Sequence, residues 1–314
     1  MYVGRHWFCL LRNIAPEIGC KQPRFKTAYC FAAGLLILED KNMNLKFNLA
    51  DREISTELPA FIMGIVNATP DSFYTSSRGG IDRALQLIDE GADVLDIGGE
   101  STRPGSSYVS EEEEIGRVVP LIRQIRKTSN IPISVDTRKL GVMKAAFEEG
   151  ADILNDVSAL LDQPSLAEFC SQKKLPVILM HKRGIPSTMQ NNGGYEDAFL
   201  EVDSFLRERA VFAESAGIAK EKIIVDPGIG FGKDLEANIA LIKNCGRLCG
   251  GKYPVMMALS RKTCIGAITG RKEDERLWGT LAADMIAVQK GASWVRVHDV
   301  AATRDSLLLL KALS

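Results

Sequence analysis

The stretch F-I-M-G-I-V (Phe61 to Val66), followed by I-D-R-A-L-Q-L-I (Ile81 to Ile88) and A-D-V-L-D-I (Ala92 to Ile97), decides the fold class. The first and third segments are apolar runs of strand length. Between them Ile81, Ala84, Leu85 and Ile88 recur at helical spacing, an apolar stripe that can cover a sheet. Strand, helix and strand in that order make a parallel crossover unit, and the alternation continues to the end of the chain. Strands are expected at 61–66, 92–97, 131–136, 152–155, 176–180, 222–226, 254–259 and 293–297, with Ile115, Val118, Val119 and Ile122 as a second helical stripe. The acidic run Glu111 to Glu114 follows Ser110 at a helix start, where carboxylates complement the helix dipole, so it reads as structural.

Eight such units in about 250 residues, without a long Gly/Pro/Ser linker, point to an α/β protein closed into a (β/α)8 TIM barrel with a short N-terminal hairpin. A doubly wound open sheet is the alternative. Residues 43–60 begin N-L-K-F-N-L after Met43, alternate as a strand does, and are expected to form the hairpin that plugs the barrel bottom. The barrel with its hairpin then covers 43–314. Residues 1–42 contain one apolar run, Tyr29 to Leu38, too short to span a bilayer. They read as a poorly ordered extension, or as untranslated sequence if Met43 is the true start.

Composition narrows the function classes. The 314 residues are 46% hydrophobic and 25% charged, which is ordinary for a globular chain with a full core. Thirty-nine basic residues against forty acidic ones leave a net charge of -1, so neither nucleic acid nor an anionic membrane is favoured and a small-molecule ligand is the better expectation. The seven cysteines are scattered and odd in number, which suits a reducing, cytoplasmic setting rather than a disulfide framework. Cys245 and Cys249, four apart as helix neighbours would be, lack a second pair or a nearby His at zinc spacing and read as buried structural residues.

The chemistry collects where the strands end. Strand one runs into Asn67, strand two carries Asp96, strand three ends at Asp136, and strand four at Asn155 and Asp156. His181, Asp226, the run Ser260-Arg261-Lys262, and Arg296 with His298 terminate the other four. In a barrel these ends share one face around one mouth. Desolvating such groups is costly unless they are partnered, so the ring implies a polar ligand or mutual ion pairs. Asp136, Asn155 and Asp226 suit the N–H-bearing edge of a heterocycle, whereas Arg103, Lys262, Arg296 and His298 suit an anion such as phosphate. The loops Ala68 to Gly80 and Gly98 to Val109 are long enough to close over that mouth. G-I-G-F-G-K (Gly228 to Lys233) fails as a phosphate-cradling loop, because Pro227 stands where the first Gly is needed and Asp234 replaces the Ser/Thr. No G-x-S-x-G occurs, and three histidines give little material for a serine triad or a multi-histidine metal site.

Seven segments in order carry a resemblance. They are M-G-I-V-N-A-T-P-D-S-F (Met63 to Phe73), D-I-G-G-E-S-T-R-P-G (Asp96 to Gly105), I-S-V-D-T (Ile133 to Thr137), I-L-N-D (Ile153 to Asp156), D-P-G-I-G-F-G-K (Asp226 to Lys233), S-R-K-T (Ser260 to Thr263) and R-V-H-D-V (Arg296 to Val300). Over roughly Met43 to Leu313 the chain resembles the dihydropteroate synthases, pterin-binding barrels of folate synthesis. The resemblance implies condensation of (7,8-dihydropterin-6-yl)methyl diphosphate with 4-aminobenzoate, giving 7,8-dihydropteroate and diphosphate. Carried over by position, Asp136, Asn155, Asp226 and Lys262 would hold the pterin, with Asp96, Met180 and Arg296 lining its pocket. Asn67, Thr102, Arg296 and His298 would hold the diphosphate, with Asn67 a ligand of Mg2+. Phe73, Arg103, Pro104, Phe231, Ser260 and Thr263 would form the 4-aminobenzoate site. The chemistry would rest on Asp96, Arg103, Asp226, Lys262, Arg296 and His298. A homodimer and membership of an enzyme class that sulfonamides target are also implied.

Two departures from the pattern stand out. After Phe73 this chain has Y-T-S-S-R-G-G (Tyr74 to Gly80) in place of S-D-G-G, and Thr263 stands where Ser is usual. Two other readings compete. A methyltetrahydrofolate methyltransferase would share the acidic pterin contacts but needs no anion cluster. An idle pterin-binding paralogue would lose Asn67, Arg103, Lys262 or His298 first, and all four are present.

Overall fold

The computed structural model describes residues 44–68, 79–101, 109–184 and 194–314, and among these described residues ten strands and nine α-helices follow from those patterns. The proposed extension 1–42, most of both mouth loops, and Phe73, Thr102, Arg103 and Pro104 lie outside the described residues. The hairpin pairs β1 (Leu45–Asn48) with β2 (Glu53–Thr56), antiparallel, Leu45 opposite Thr56. The barrel strands are β3 (Phe61–Asn67), β4 (Val94–Gly98), β5 (Ile133–Asp136), β6 (Ile153–Asp156), β7 (Val177–Met180), β8 (Ile223–Asp226), β9 (Met256–Met257) and β10 (Trp294–Val297). They are parallel and run in the order β8-β7-β6-β5-β4-β3-β10-β9. A bridge between Val225 and Val255, with Val225 N–H donating to Pro254 O at 3.0 Å, joins the two ends and closes the barrel.

The seventh strand is the exception to the expected lengths. It pairs only at Met256–Met257, with Val255 in the closing bridge, rather than over 254–259. Pro254 has no N–H to give a ladder. Beyond Met257 the chain turns out of the sheet, Lys262 N–H donating back to Leu259 O at 3.1 Å, and so delivers residues 260–262 to the mouth.

Helices α1 (Gly79–Asp89), α2 (Glu111–Arg126), α3 (Leu140–Glu148), α4 (Ser165–Lys173), α5 (Ala198–Ser215) and α6 (Leu235–Asn244) alternate with the strands. Two helices, α7 (Thr263–Thr269) and α8 (Leu277–Gln289), separate β9 from β10, and α9 (Val300–Leu313) ends the chain. Ser110 Oγ accepts from Glu113 N–H at the start of α2, as the capping reading required. Glu114 goes further than capping: it is buried and paired with Lys139 Nζ at 2.5 Å. Cys245 and Cys249 are buried and free but do not share a helix, because the backbone kinks between them at Leu248–Gly250.

Side-chain alternation splits the core in two. Outward residues such as Ile62, Leu95, Leu154, Leu179, Val225 and Val295 pack with the helices. Inward residues form a separate cluster of Phe61, Met63, Val94, Ile153, Ile178, Ile224, Met256 and Trp294, closed from below by Phe47 and Leu49 of the hairpin. Trp294 stacks on Phe61 at 4.5 Å between centroids and meets Phe47 edge-on at 5.1 Å. The hairpin therefore plugs the barrel bottom, as its alternation predicted.

Candidate active site

Two residues past that apolar layer, on the same inward face of β4, β6, β8 and β10, the side chains become polar. Val94 is followed by Asp96, Ile153 by Asn155, Ile224 by Asp226 and Trp294 by Arg296, with Met180 above Ile178 as the apolar member. Asp96, Asn155, Met180 and Asp226 are no more than 4% exposed. Arg296 binds the layer together: Nε donates to Asp96 Oδ2 at 2.6 Å and Nη2 to Asp136 Oδ2 at 3.2 Å. Asn155 Nδ2 donates to the same Asp96 oxygen at 3.1 Å, while Asp226 Oδ1 accepts from Gly228 N–H at 2.7 Å. Asp96 Oδ1 is buried with no partner among the described residues, an acceptor still to be satisfied.

Above this layer opens a cavity of about 360 Å³. Of the residues singled out in the sequence, Asn67, Asp136, Phe231, Ser260, Lys262, Thr263, Arg296 and His298 line it. Asp96, Asn155, Met180 and Asp226 are buried beside that lining rather than on it. Lys262 Nζ lies 4.3 Å from the Phe231 ring centroid. Its delivery depends on Arg261, a non-glycine residue in the left-handed region at φ 57°. Such a conformation costs of order 1–3 kcal/mol and persists where neighbours fix it. Here Arg261 N–H donates to Thr280 Oγ1, its carbonyl accepts from Arg276, and its guanidinium pairs with Asp299 at 2.7 Å. Ser260 and His298 are bonded to each other, Nδ1 to Oγ at 2.9 Å, and Arg83 donates to the His298 carbonyl.

The electrostatics follow from burial. Desolvation pushes the Asp136 carboxyl up to about 7 against the pull of Arg296, with Asp96 adding to the rise. Burial raises Asp226 as well, opposed by the Gly228 N–H and Lys262. Lys262 is lowered to about 8 by burial, which Asp226 partly offsets. Burial also works against the charge of Arg296, but Asp96 and Asp136 outweigh it and hold the guanidinium firmly cationic. The mouth thus sets one carboxyl, that of Asp136, which can hold or release a proton near neutrality, beside the cationic Lys262 and Arg296.

Two strand-end residues, Asp156 and His181, and one loop residue, Lys233, belong to the scaffold. Asp156 spends its carboxylate on Ser158 and Leu160 in a tight turn. His181 packs edge-on against Phe205 at 4.9 Å, and burial and Lys233 lower it to about 3, so it stays neutral. Lys233, dismissed with its failed phosphate loop, donates to His181 Nδ1, Gly228 O and Phe231 O at 2.9, 2.9 and 3.1 Å. The glycines of that loop serve close approach: a Cβ on Gly228 would lie 1.9 Å from His181 O. The sequence reading missed Glu100, Glu273 and Arg276 on the lining; a break in the strand–helix alternation after Lys262 was the one available signal for the last two.

Asn67, the exposed last residue of β3, was the expected Mg2+ ligand. Among the described residues no group of three His, Cys, Asp or Glu could hold a metal ion. One amide oxygen completed by water and phosphate oxygens is a donor set Mg2+ accepts at phosphate sites, so the residues fit the ion.

Fold and mouth together define a parallel barrel with a layer of carboxylates and an amide set beside cationic side chains at its mouth. The family described as pterin binding enzyme matches residues 63–298, and the chain belongs to that family. A dihydropteroate synthase of Haemophilus influenzae is 46% identical over 256 residues, 80% of this chain and 93% of that protein. The dihydropteroate synthase of Xanthomonas albilineans, solved with 4-aminobenzoic acid, superimposes with a TM-score of 0.80 at 42% identity over 86% of this chain and 98% of that one. The same organism's enzyme in complex with 7,8-dihydropteroate gives 0.77 at 41% identity, again over 86% and 98%.

Proposed function

We propose that the chain condenses (7,8-dihydropterin-6-yl)methyl diphosphate with 4-aminobenzoate to give 7,8-dihydropteroate and diphosphate, as a pterinylmethyl transferase. The observation that carries this is the buried layer Asp96, Asn155, Asp136 and Arg296 directly beside Lys262 and His298, a heterocycle edge next to an anion edge. The arylamine nitrogen bonds to the pterin methylene carbon, the carbon–oxygen bond to diphosphate breaks, and the amine proton leaves to solvent. An arylamine is a free nucleophile at neutral pH, so departure of the diphosphate is the demanding step. Asp96 and Asp226 stabilise positive charge developing on the pterin, while Lys262, His298 and the guanidinium edge of Arg296 that faces away from its carboxylates meet the leaving group. Asn67 would hold Mg2+, which when bound supplies further charge to the diphosphate. Phe231 and Thr263, with Phe73, Arg103 and Pro104 of the loops, would receive 4-aminobenzoate and close the site, and Thr102 would join the diphosphate contacts.

Lys262→Ala tests the assignment. Diphosphate release that needs both substrates in the parent chain should fall at least about 100-fold, as for a lost oxyanion donor, with the melting temperature little changed. Parent-like rates would overturn it. The chain is further proposed to act as a cytoplasmic homodimer. Supporting this are apolar side chains exposed on α7, α8 and α9, among them Trp278 at 76% and Leu309 at 62%. Light scattering is expected to give twice the chain mass, and a monomer would contradict it. Among the described residues no helix is long and apolar enough to cross a membrane.

A further inference from the structure

Ser260 closes β9's turn into the mouth and is only 6% exposed. Its Oγ accepts from the backbone N–H of His298 at 3.2 Å and lies 2.9 Å from Nδ1 of the same residue. Among the described residues this hydroxyl has no other hydrogen-bond partner. A buried hydroxyl proton left without an acceptor is costly, and Nδ1 is the acceptor within reach. Were Nδ1 protonated instead, Oγ would have to accept twice and its own proton would be orphaned. A neutral ring that accepts at Nδ1 carries its proton on Nε2. The carbonyl of His298 is fixed as well, by Arg83 of α1, so backbone and ring are held from two sides.

We infer that Ser260 is a positioning residue that locks His298 in the Nε2–H tautomer, so the ring lining the mouth offers a proton-bearing nitrogen to the leaving group. This rests on the proposed diphosphate edge, and it gives Ser260 a role through His298 in place of contact with the amine substrate. His181 supplies an internal control, because its Nδ1 faces Lys233 Nζ at 2.9 Å and Ser260 does not touch it.

The test is nitrogen NMR of the full chain labelled at histidine, about two pH units above the ordinary histidine value so that the rings are neutral. With three histidines in the sequence, His298→Gln assigns the ring. The parent chain should show His298 with unprotonated Nδ1 and protonated Nε2. Ser260→Ala should give a mixture of tautomers at His298 with His181 unchanged, and Ser260→Thr should restore the single tautomer. Turnover should follow: kcat falls about 10- to 100-fold in Ser260→Ala and recovers in Ser260→Thr, while KM for 4-aminobenzoate changes less than about threefold. An Nδ1–H tautomer in the parent chain would refute the inference, as would an unaltered His298 in Ser260→Ala. A rise confined to the 4-aminobenzoate KM would return Ser260 to substrate contact and refute it too. Since the tautomer is read without substrate, an error in the assigned reaction leaves that result standing.

Discussion

Replacing Asp136 by Asn removes a carboxyl that the fold holds at a cost. Burial lifts its pKa from the ordinary 3.8 to about 7, so between those values the folded chain binds a proton that the unfolded chain has released. The raised value means that Asp136 contributes stability below about pH 4, which is lost as pH climbs to about 7. A rise of about 3 units at about 1.4 kcal/mol each puts the full loss near 4 kcal/mol. Asn keeps the shape and can still accept at 3.2 Å from the cationic Arg296 Nη2, losing only the carboxylate's share of a charge-assisted bond, a penalty of about 1 kcal/mol. Asp136→Asn should therefore be about as stable as the parent at pH 5 and about 3 kcal/mol more stable at pH 8, a gain of about 6 °C in melting temperature. Calorimetry on both chains at pH 5, 6, 7 and 8 measures this, with turnover expected to drop as stability rises. A difference that does not vary with pH, or a parent chain that melts higher at pH 8, would refute the reasoning.

Asp284 on α8 is fully buried, neither carboxyl oxygen has a partner among the described residues, and burial pushes its pKa well up. Asp284→Leu should raise stability by about 1–3 kcal/mol at pH 8, and by progressively less as acid protonates the parent's carboxyl, as urea titrations at several pH values will record. Trp294→Ala should cost about 3–5 kcal/mol, because it removes the ring on which Phe61 and Phe47 meet. A urea midpoint shift worth less than about 1 kcal/mol would mean that the hairpin does not plug the barrel.

Eight strands were legible because a closed parallel sheet is apolar on both faces, so each strand stands out as a short run between helical stripes. Asn67, Asp136, Lys262 and His298 were legible because they break those runs at their ends. What joins them was not. Arg296 reaches Asp96 across 200 positions of chain, and nothing local to either residue announces the pair. Lys233 escaped for another reason: three of its bonds go to backbone carbonyls, which no pattern of side-chain types records. The end of β9 was misjudged because Ala258 and Leu259 are apolar whether or not they pair, and it is the backbone at Arg261 that turns the chain away.

The two-residue step from the apolar layer to the polar layer above it has a consequence for how this chain can vary. Trp294 and Arg296, or Ile224 and Asp226, share one face only because a single residue separates them. Deleting or inserting one residue within such a strand would swing the charged member toward the helices and the aliphatic member into the mouth, damaging packing and site in one event. Length variation among related chains should therefore concentrate in the connecting segments and spare the barrel strands. An engineer seeking an altered pocket should exchange side chains at fixed register and leave strand lengths alone.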